Sequence, residues 1–190
     1  MKIGLSLASV VALVLTACAG SDPQDSTAAV ETAVVDCDSR VQVIPSGRSS
    51  GRIPESARRR SVVAGSVVFI GAKRWGDLPR EARLPTRVKP PILVKAGPAV
   101  TITLSPESRS DAAFMVGRAR KPFDIRGLSI ELRPCPPEAM VANRRVGRRT
   151  PFLAGFKLRW PTCVRLDVEI DGDPEPITRQ IPFLTACGSA

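Results

Sequence analysis

Val164-Arg165-Leu166-Asp167-Val168-Glu169-Ile170 alternates apolar and charged residues without a break, and Asp171-Gly172 ends the run. A period of two puts Val164, Leu166, Val168 and Ile170 on one face of a strand and Arg165, Asp167 and Glu169 on the other. Ile177-Thr178-Arg179-Gln180-Ile181 alternates again, so the two runs predict a β-hairpin with one buried face. Pro182 cannot donate to a ladder and marks the second run as an edge strand or a bulge. Outward from this hairpin, Pro and Gly punctuate the chain at short intervals with β-branched runs between them. The candidate strands are residues 40–44, 66–72, 92–96, 100–105, 112–116, 128–134, 152–159, 164–170 and 177–184. Gly97-Pro98, lying between two of them, predicts a second hairpin.

No segment sustains a 3.6-residue period, and residues 55–60 and 106–113 have room for a turn of helix at most. Many short strands separated by turn residues predict an all-β protein, an immunoglobulin-like (Greek-key) β-sandwich. Trp160, just before Cys163, is a candidate for the tryptophan that packs on a disulfide in such domains. Ordinary core or rim packing is its other reading.

At the opposite end of the chain, Lys2 precedes an apolar run over residues 3–15, and Leu15-Thr16-Ala17-Cys18 follows with small residues around the cysteine. The run is too short for a membrane span, which needs about 20 apolar residues. It reads as a signal peptide over residues 1–17. The tetrapeptide resembles the lipobox of bacterial lipoproteins. That resemblance implies that Cys18 is acylated, with palmitate-type chains, and becomes the N-terminus of an extracytoplasmic protein anchored to the cell membrane. An ordinary secreted protein and a retained apolar segment are the alternatives. Residues 18–36 are small and acidic and read as a flexible tether with a reach of about 25 Å. Residues 37–190 are left as the β-sandwich domain, large enough to enclose a core.

Four cysteines remain once Cys18 is committed to lipid: Cys37, Cys135, Cys163 and Cys187. In an oxidising compartment they read as two disulfides with three possible connectivities. Cys37–Cys187 with Cys135–Cys163 is the favoured one, because it ties the first strand to the last. No C-x-x-C spacing supports a redox or zinc-ribbon reading.

The formal charge is +10, unevenly placed. Residues 40–160 carry 25 Lys and Arg against 8 acids, whereas residues 19–39 carry acids alone and residues 161–190 are again slightly acidic. The basic stretch therefore holds more than the whole net charge. The exposed clusters are Arg58-Arg59-Arg60 and Arg144-Arg145 with Arg148-Arg149, all in predicted loops. Consecutive arginines can set several bidentate forks against phosphate or carboxylate, so these seven residues are the candidate anion-binding site. Outside a membrane the available polyanions are lipid headgroups, envelope polymers and acidic partner proteins. Arginine enrichment from a GC-rich genome is the bland reading. Nucleic acid is not expected, because the aromatic-basic interleaving of single-strand binders is missing.

The chain has no histidine and no tyrosine. That excludes Ser-His-Asp and Cys-His nucleophile systems and every His-ligated metal. Gly47-Arg48-Ser49-Ser50-Gly51 matches G-x-S-x-G but has no base to serve it. S-x-x-K occurs nowhere. The acids Asp167, Glu169, Asp171, Asp173 and Glu175 around the hairpin turn read as a solvated face, with a calcium site or a carboxylate pair as alternatives. No cofactor loop is present and no metal or cofactor is expected.

Leu132-Arg133-Pro134-Cys135-Pro136-Pro137, Phe152-Leu153-Ala154-Gly155-Phe156 and Pro161-Thr162-Cys163-Val164-Arg165-Leu166-Asp167-Val168, with the terminal Cys187, resemble small, uncharacterised exported proteins of actinobacteria. The resemblance implies a disulfide-bonded β domain and carries no activity. The expected function is that of a monomeric, non-enzymatic binding or interaction module of the cell envelope. A carboxylate-based hydrolase or calcium-dependent carbohydrate module, and a structural accessory subunit of an envelope complex, are the alternatives.

Overall fold

The computed structural model describes residues 32–37, 53, 55–77, 86–88, 91–118, 121–141 and 144–188. In chain order the strands are β1 (Thr32–Val35), β2 (Val62–Ala64), β3 (Val67–Phe69), β4 (Thr86–Val88), β5 (Pro91–Lys95), β6 (Val100–Leu104), β7 (Ala112–Arg118) and β8 (Lys121–Gly127). They continue with β9 (Ser129–Leu132), β10 (Met140–Val141), β11 (Arg144–Arg145), β12 (Arg149–Leu158), β13 (Thr162–Ile170) and β14 (Ile177–Phe183). One α-helical turn, α1 (Glu55–Arg59), precedes β2, and short 3-10 helices span Ala72–Asp77 and Pro106–Ser108. The expected signal peptide, Cys18, the strand at residues 40–44 and the Gly47–Gly51 motif lie outside the described residues.

The alternation that opens the sequence reading does what it predicts. Val164, Leu166, Val168 and Ile170 are buried, and β13 pairs antiparallel with β14 from Thr162↔Phe183 to Val168↔Ile177. Pro182 sits in β14, an edge strand. The first sheet runs β1-β9-β6-β13-β14 and the second β2-β3-β5-β12-β7-β8, with β4 also pairing β12 and β10-β11 forming a separate ribbon. Both sheets send apolar side chains into one core, among them Ile102, Leu104, Ile130, Leu132 and Leu166 from the first and Phe69, Ile92, Phe114, Phe152 and Phe156 from the second. The result is a two-sheet, β-sandwich-like protein closed at its sides where β14 meets β2 and β1 meets β8. Gly65 makes the β2–β3 turn at φ +54°, and a Cβ there would lie 2.5 Å from Ile170 Cδ1. The left-handed backbone is what calls for glycine here, and a Cβ would in addition push the Ile170 side chain aside.

Two expectations are corrected. Gly97-Pro98 does not turn a hairpin: β5 pairs with β3 and β12, whereas β6 pairs with β9 and β13. Alternation tells which face of a strand is buried but not which sheet it joins, and here the link carries the chain from one layer to the other. Trp160 is 58 % exposed, which agrees with its rim reading, and the buried tryptophan is Trp75, stacked on Phe183 at 5.2 Å.

The disulfides are Cys37–Cys135 and Cys163–Cys187, not the expected Cys37–Cys187 and Cys135–Cys163. Their Cα–Cα separations of 4.9 and 5.2 Å lie within the ordinary bridging range. The pairing follows from strand direction. β1, at the end of the expected tether, runs parallel to β9 with Val35 opposite Leu132, so Cys37 and Cys135 leave the sheet side by side. At the other bridge, Leu184 takes a left-handed φ of 58° and donates its N–H to Trp75 O at 3.0 Å. The chain is thereby turned so that Cys187 meets Cys163. A small satellite cluster of Cys135 and Val146, with Cys37 and Ala139 against it, packs around the first bridge.

Candidate functional site

Arg58 and Arg59 close α1 and Arg60 follows it; all three are exposed. The Ser61 hydroxyl fixes this turn by donating to Ala57 O (2.7 Å) and accepting the Gly71 N–H (3.1 Å). Lys73 donates its N–H to Arg60 O at 3.0 Å, which brings the exposed Lys73 and Arg74 beside the arginine cluster.

Arg149 starts β12 directly opposite Lys95 of β5. Directly opposed side chains stand on one face of a sheet, and Thr150, next along, points into the core and accepts the Cys135 N–H at 2.7 Å. Arg149 and Lys95 therefore both face outward. Arg149 Nη1 donates to Ser66 O at 3.4 Å, the carbonyl that also accepts the Lys95 N–H at 3.0 Å. Burial pushes the Arg149 guanidinium below the ordinary arginine range, and the positive charge of Arg58 pushes it the same way. Two clusters remote in sequence thus come within electrostatic reach of each other, and Lys95 adds a charge directly opposite Arg149. Arg133 pairs with Glu131 and Arg165 with Glu107, and no carboxylate of a described residue lies within ion-pair distance of Arg58, Lys95 or Arg149.

The other predicted arginines divide. Arg148 is exposed, and its carbonyl accepts the Ala96 N–H at 3.0 Å, which keeps it beside Arg149 and the end of β5. Arg144 and Arg145 form β11, paired with β10. Arg145 Nε donates to Pro137 O at 3.3 Å, on the ribbon that leans on the Cys37–Cys135 bridge. Lys95, Lys73 and Arg74 were not singled out from the sequence. Only strand register and the turn after β3 bring them to this face, and neither has a sequence signal.

One acid of the hairpin, Asp167, has a structural part. The Asp167 carboxylate accepts the Ser105 hydroxyl at Oδ2 (2.8 Å) and the Thr178 hydroxyl at Oδ1 (2.7 Å), so it clamps β6, β13 and β14 together. Glu169, Asp171, Asp173 and Glu175 are exposed. Among the described residues no three His, Cys, Asp or Glu side chains converge to hold a metal ion. Comparison with known proteins finds no family model, no curated protein and no solved structure that matches the chain.

Proposed function

We propose that the chain is an extracytoplasmic lipoprotein held to the cell membrane through Cys18, and that its β domain is a non-enzymatic binding module for anionic envelope polymers or headgroups. One observation carries the binding reading: Arg149 stands directly opposite Lys95 and feels the charge of Arg58, distant in sequence, with no carboxylate of a described residue paired to any of the three. Like charges placed opposite one another weaken a sheet, so this face is more stable with an anion on it than without. Phosphate and carboxylate groups fit the guanidinium forks. The same reading takes the sandwich as immunoglobulin-like. The short links that carry the chain from one sheet to the other at β5–β6, β6–β7, β8–β9 and β12–β13 support it, since Greek-key sandwiches also pass strands between their two layers.

The test is binding of the protein to polyphosphate and to vesicles containing anionic lipid across a salt series. Saturable binding that weakens steeply with salt is expected. Arg58→Gln with Arg149→Gln should weaken it about ten- to hundredfold per lost charged hydrogen bond, while Arg179→Gln should leave it nearly unchanged. The double variant should also melt no lower than wild type, because it removes a repulsion. Equal binding by the variant would sink the site assignment. In the source cell, Cys18→Ser should move the protein from the membrane to the soluble fraction.

A further inference from the structure

A second site lies at the far end of β12, roughly 26 Å along the strand from Arg149 at about 3.3 Å per residue. An open cleft of about 410 Å³ is lined there by Arg109, Asp111, Ala113, Lys157, Arg159 and Trp160. Its walls are fixed by the fold. The 3-10 helix Pro106–Ser108 is fastened to β13, since the Arg165 N–H donates to Ser108 Oγ (2.9 Å) and the Ser105 N–H to Arg165 O (3.1 Å). Arg109 follows it and donates Nε to Leu104 O at 3.1 Å, which anchors one edge of the guanidinium and leaves the other for a ligand. The Arg159 N–H donates to Asp111 O at 2.8 Å and joins the two walls. Lys157 stands opposite Ala113 on one side and Arg87 of β4 on the other, so the row is cationic and the alanine leaves the hollow.

Trp160 forms the rim. It occupies the turn between β12 and β13, where Pro161 restricts its backbone to extended conformations and the ring stands exposed. The described ring pairs involve Trp75, not Trp160. An exposed indole over a cleft is an unsatisfied apolar surface.

The chemistry narrows the ligand. Arg87, Arg109, Lys157 and Arg159 against Asp111 select an anion. The ring face, electron-rich at its centre, selects a flat C–H surface, and Asp111 supplies an acceptor for hydroxyl groups. One open ring beside a carboxylate suits a hydroxylated ring more than a stack of bases. The volume lies near the lower end of small-ligand pockets, about 300–1,000 Å³. We infer that this cleft binds an anionic pyranose unit of a glycan, with the sugar ring on Trp160 and its carboxylate or phosphate held by Arg109, Lys157 and Arg159.

The chain has two tryptophans, and because Trp75 is buried, acrylamide quenching of the intact protein reports Trp160. Titration with a diglucuronate, glucose 6-phosphate, glucose, inorganic phosphate, AMP and anionic vesicles should show saturable shielding of Trp160 by the acidic sugars. They should bind at least tenfold more tightly than glucose or phosphate alone, and the two acidic sugars compared show which anion is preferred. By calorimetry, Trp160→Ala and Lys157→Gln with Arg159→Gln should each lose tenfold or more, Trp160→Phe should keep most of the affinity, and all should melt like wild type. The Arg58→Gln, Arg149→Gln variant should bind the sugar normally, so the cleft and the arginine face fail independently. Equal binding of inorganic phosphate, tighter binding of AMP, shielding by vesicles alone, or no shielding by any saccharide would each overturn the inference.

Discussion

Phe156→Ala should destabilise the protein by about 3–5 kcal/mol, read as a fall in the urea midpoint at unchanged slope. Phe156 is fully buried and lies 5.0 Å from the Phe114 ring and 4.9 Å from the Phe183 ring, which in turn stacks on Trp75. Phe114 and Phe156 belong to the second sheet and Phe183 to the first, so the four rings cross the sandwich from β7 to the 3-10 helix that covers its side. Truncation leaves a cavity that two rigid sheets cannot close, and it removes two ring contacts of about 0.5–1.5 kcal/mol each. A domain of this size has about 5–15 kcal/mol in total, so about a fifth of it or more rests on this residue. Phe156→Leu keeps most of the volume and should cost about 1.5 kcal/mol or less. A double-mutant cycle with Phe183→Leu isolates the contact between the sheets. A Phe156→Ala cost under 1 kcal/mol would mean that the sheets do not share this core.

The aromatic core was only half legible in the sequence. The strands carrying Phe114, Phe156 and Phe183 are expected from their β-rich patterning, and residues 55–60 have room for a turn of helix at most, where α1 forms. The buried member of the pair of tryptophans is not expected, since Trp75 lies in a Lys-Arg-Trp-Gly stretch that looks solvated. It is buried because Leu184 ties the end of β14 to its carbonyl. The same limit applies to the cationic face. Arg58 and Arg149 could each be read as exposed, but their approach depends on β3 pairing β5 and β5 pairing β12. Periodicity fixes the face a residue takes, whereas register and sheet membership fix its neighbours. β1 is the sharpest case: four residues, Thr32-Ala33-Val34-Val35, at the end of an acidic run give no strong strand signal, yet their parallel pairing with β9 decides both disulfides.

Those disulfides should account for the largest share of stability that any covalent change removes. Cys37–Cys135 closes a separation of 98 residues and Cys163–Cys187 one of 24. In the chain-entropy model, bridges of these lengths are worth about 4.7 and about 3.4 kcal/mol respectively. The closed segments do not overlap, so the two contributions add to about 8 kcal/mol, comparable to the whole stability of a typical domain. Replacing Cys37 and Cys135 with Ala should therefore lower the midpoint more than replacing Cys163 and Cys187. Hydrogen exchange should locate the first loss at β1, which has one neighbour in its sheet, while the β13–β14 hairpin stays protected. A non-reducing peptide map should recover Cys37 linked to Cys135 and Cys163 to Cys187; any crossed pair would overturn the fold's account of its own ends. With both bridges reduced, the chain should be largely unfolded at 37 °C, by circular dichroism and by the emission of Trp75. Folding would then have to follow transfer to an oxidising compartment, which the proposed export of the chain would supply. A reduced chain that stayed folded would remove that link between stability and export.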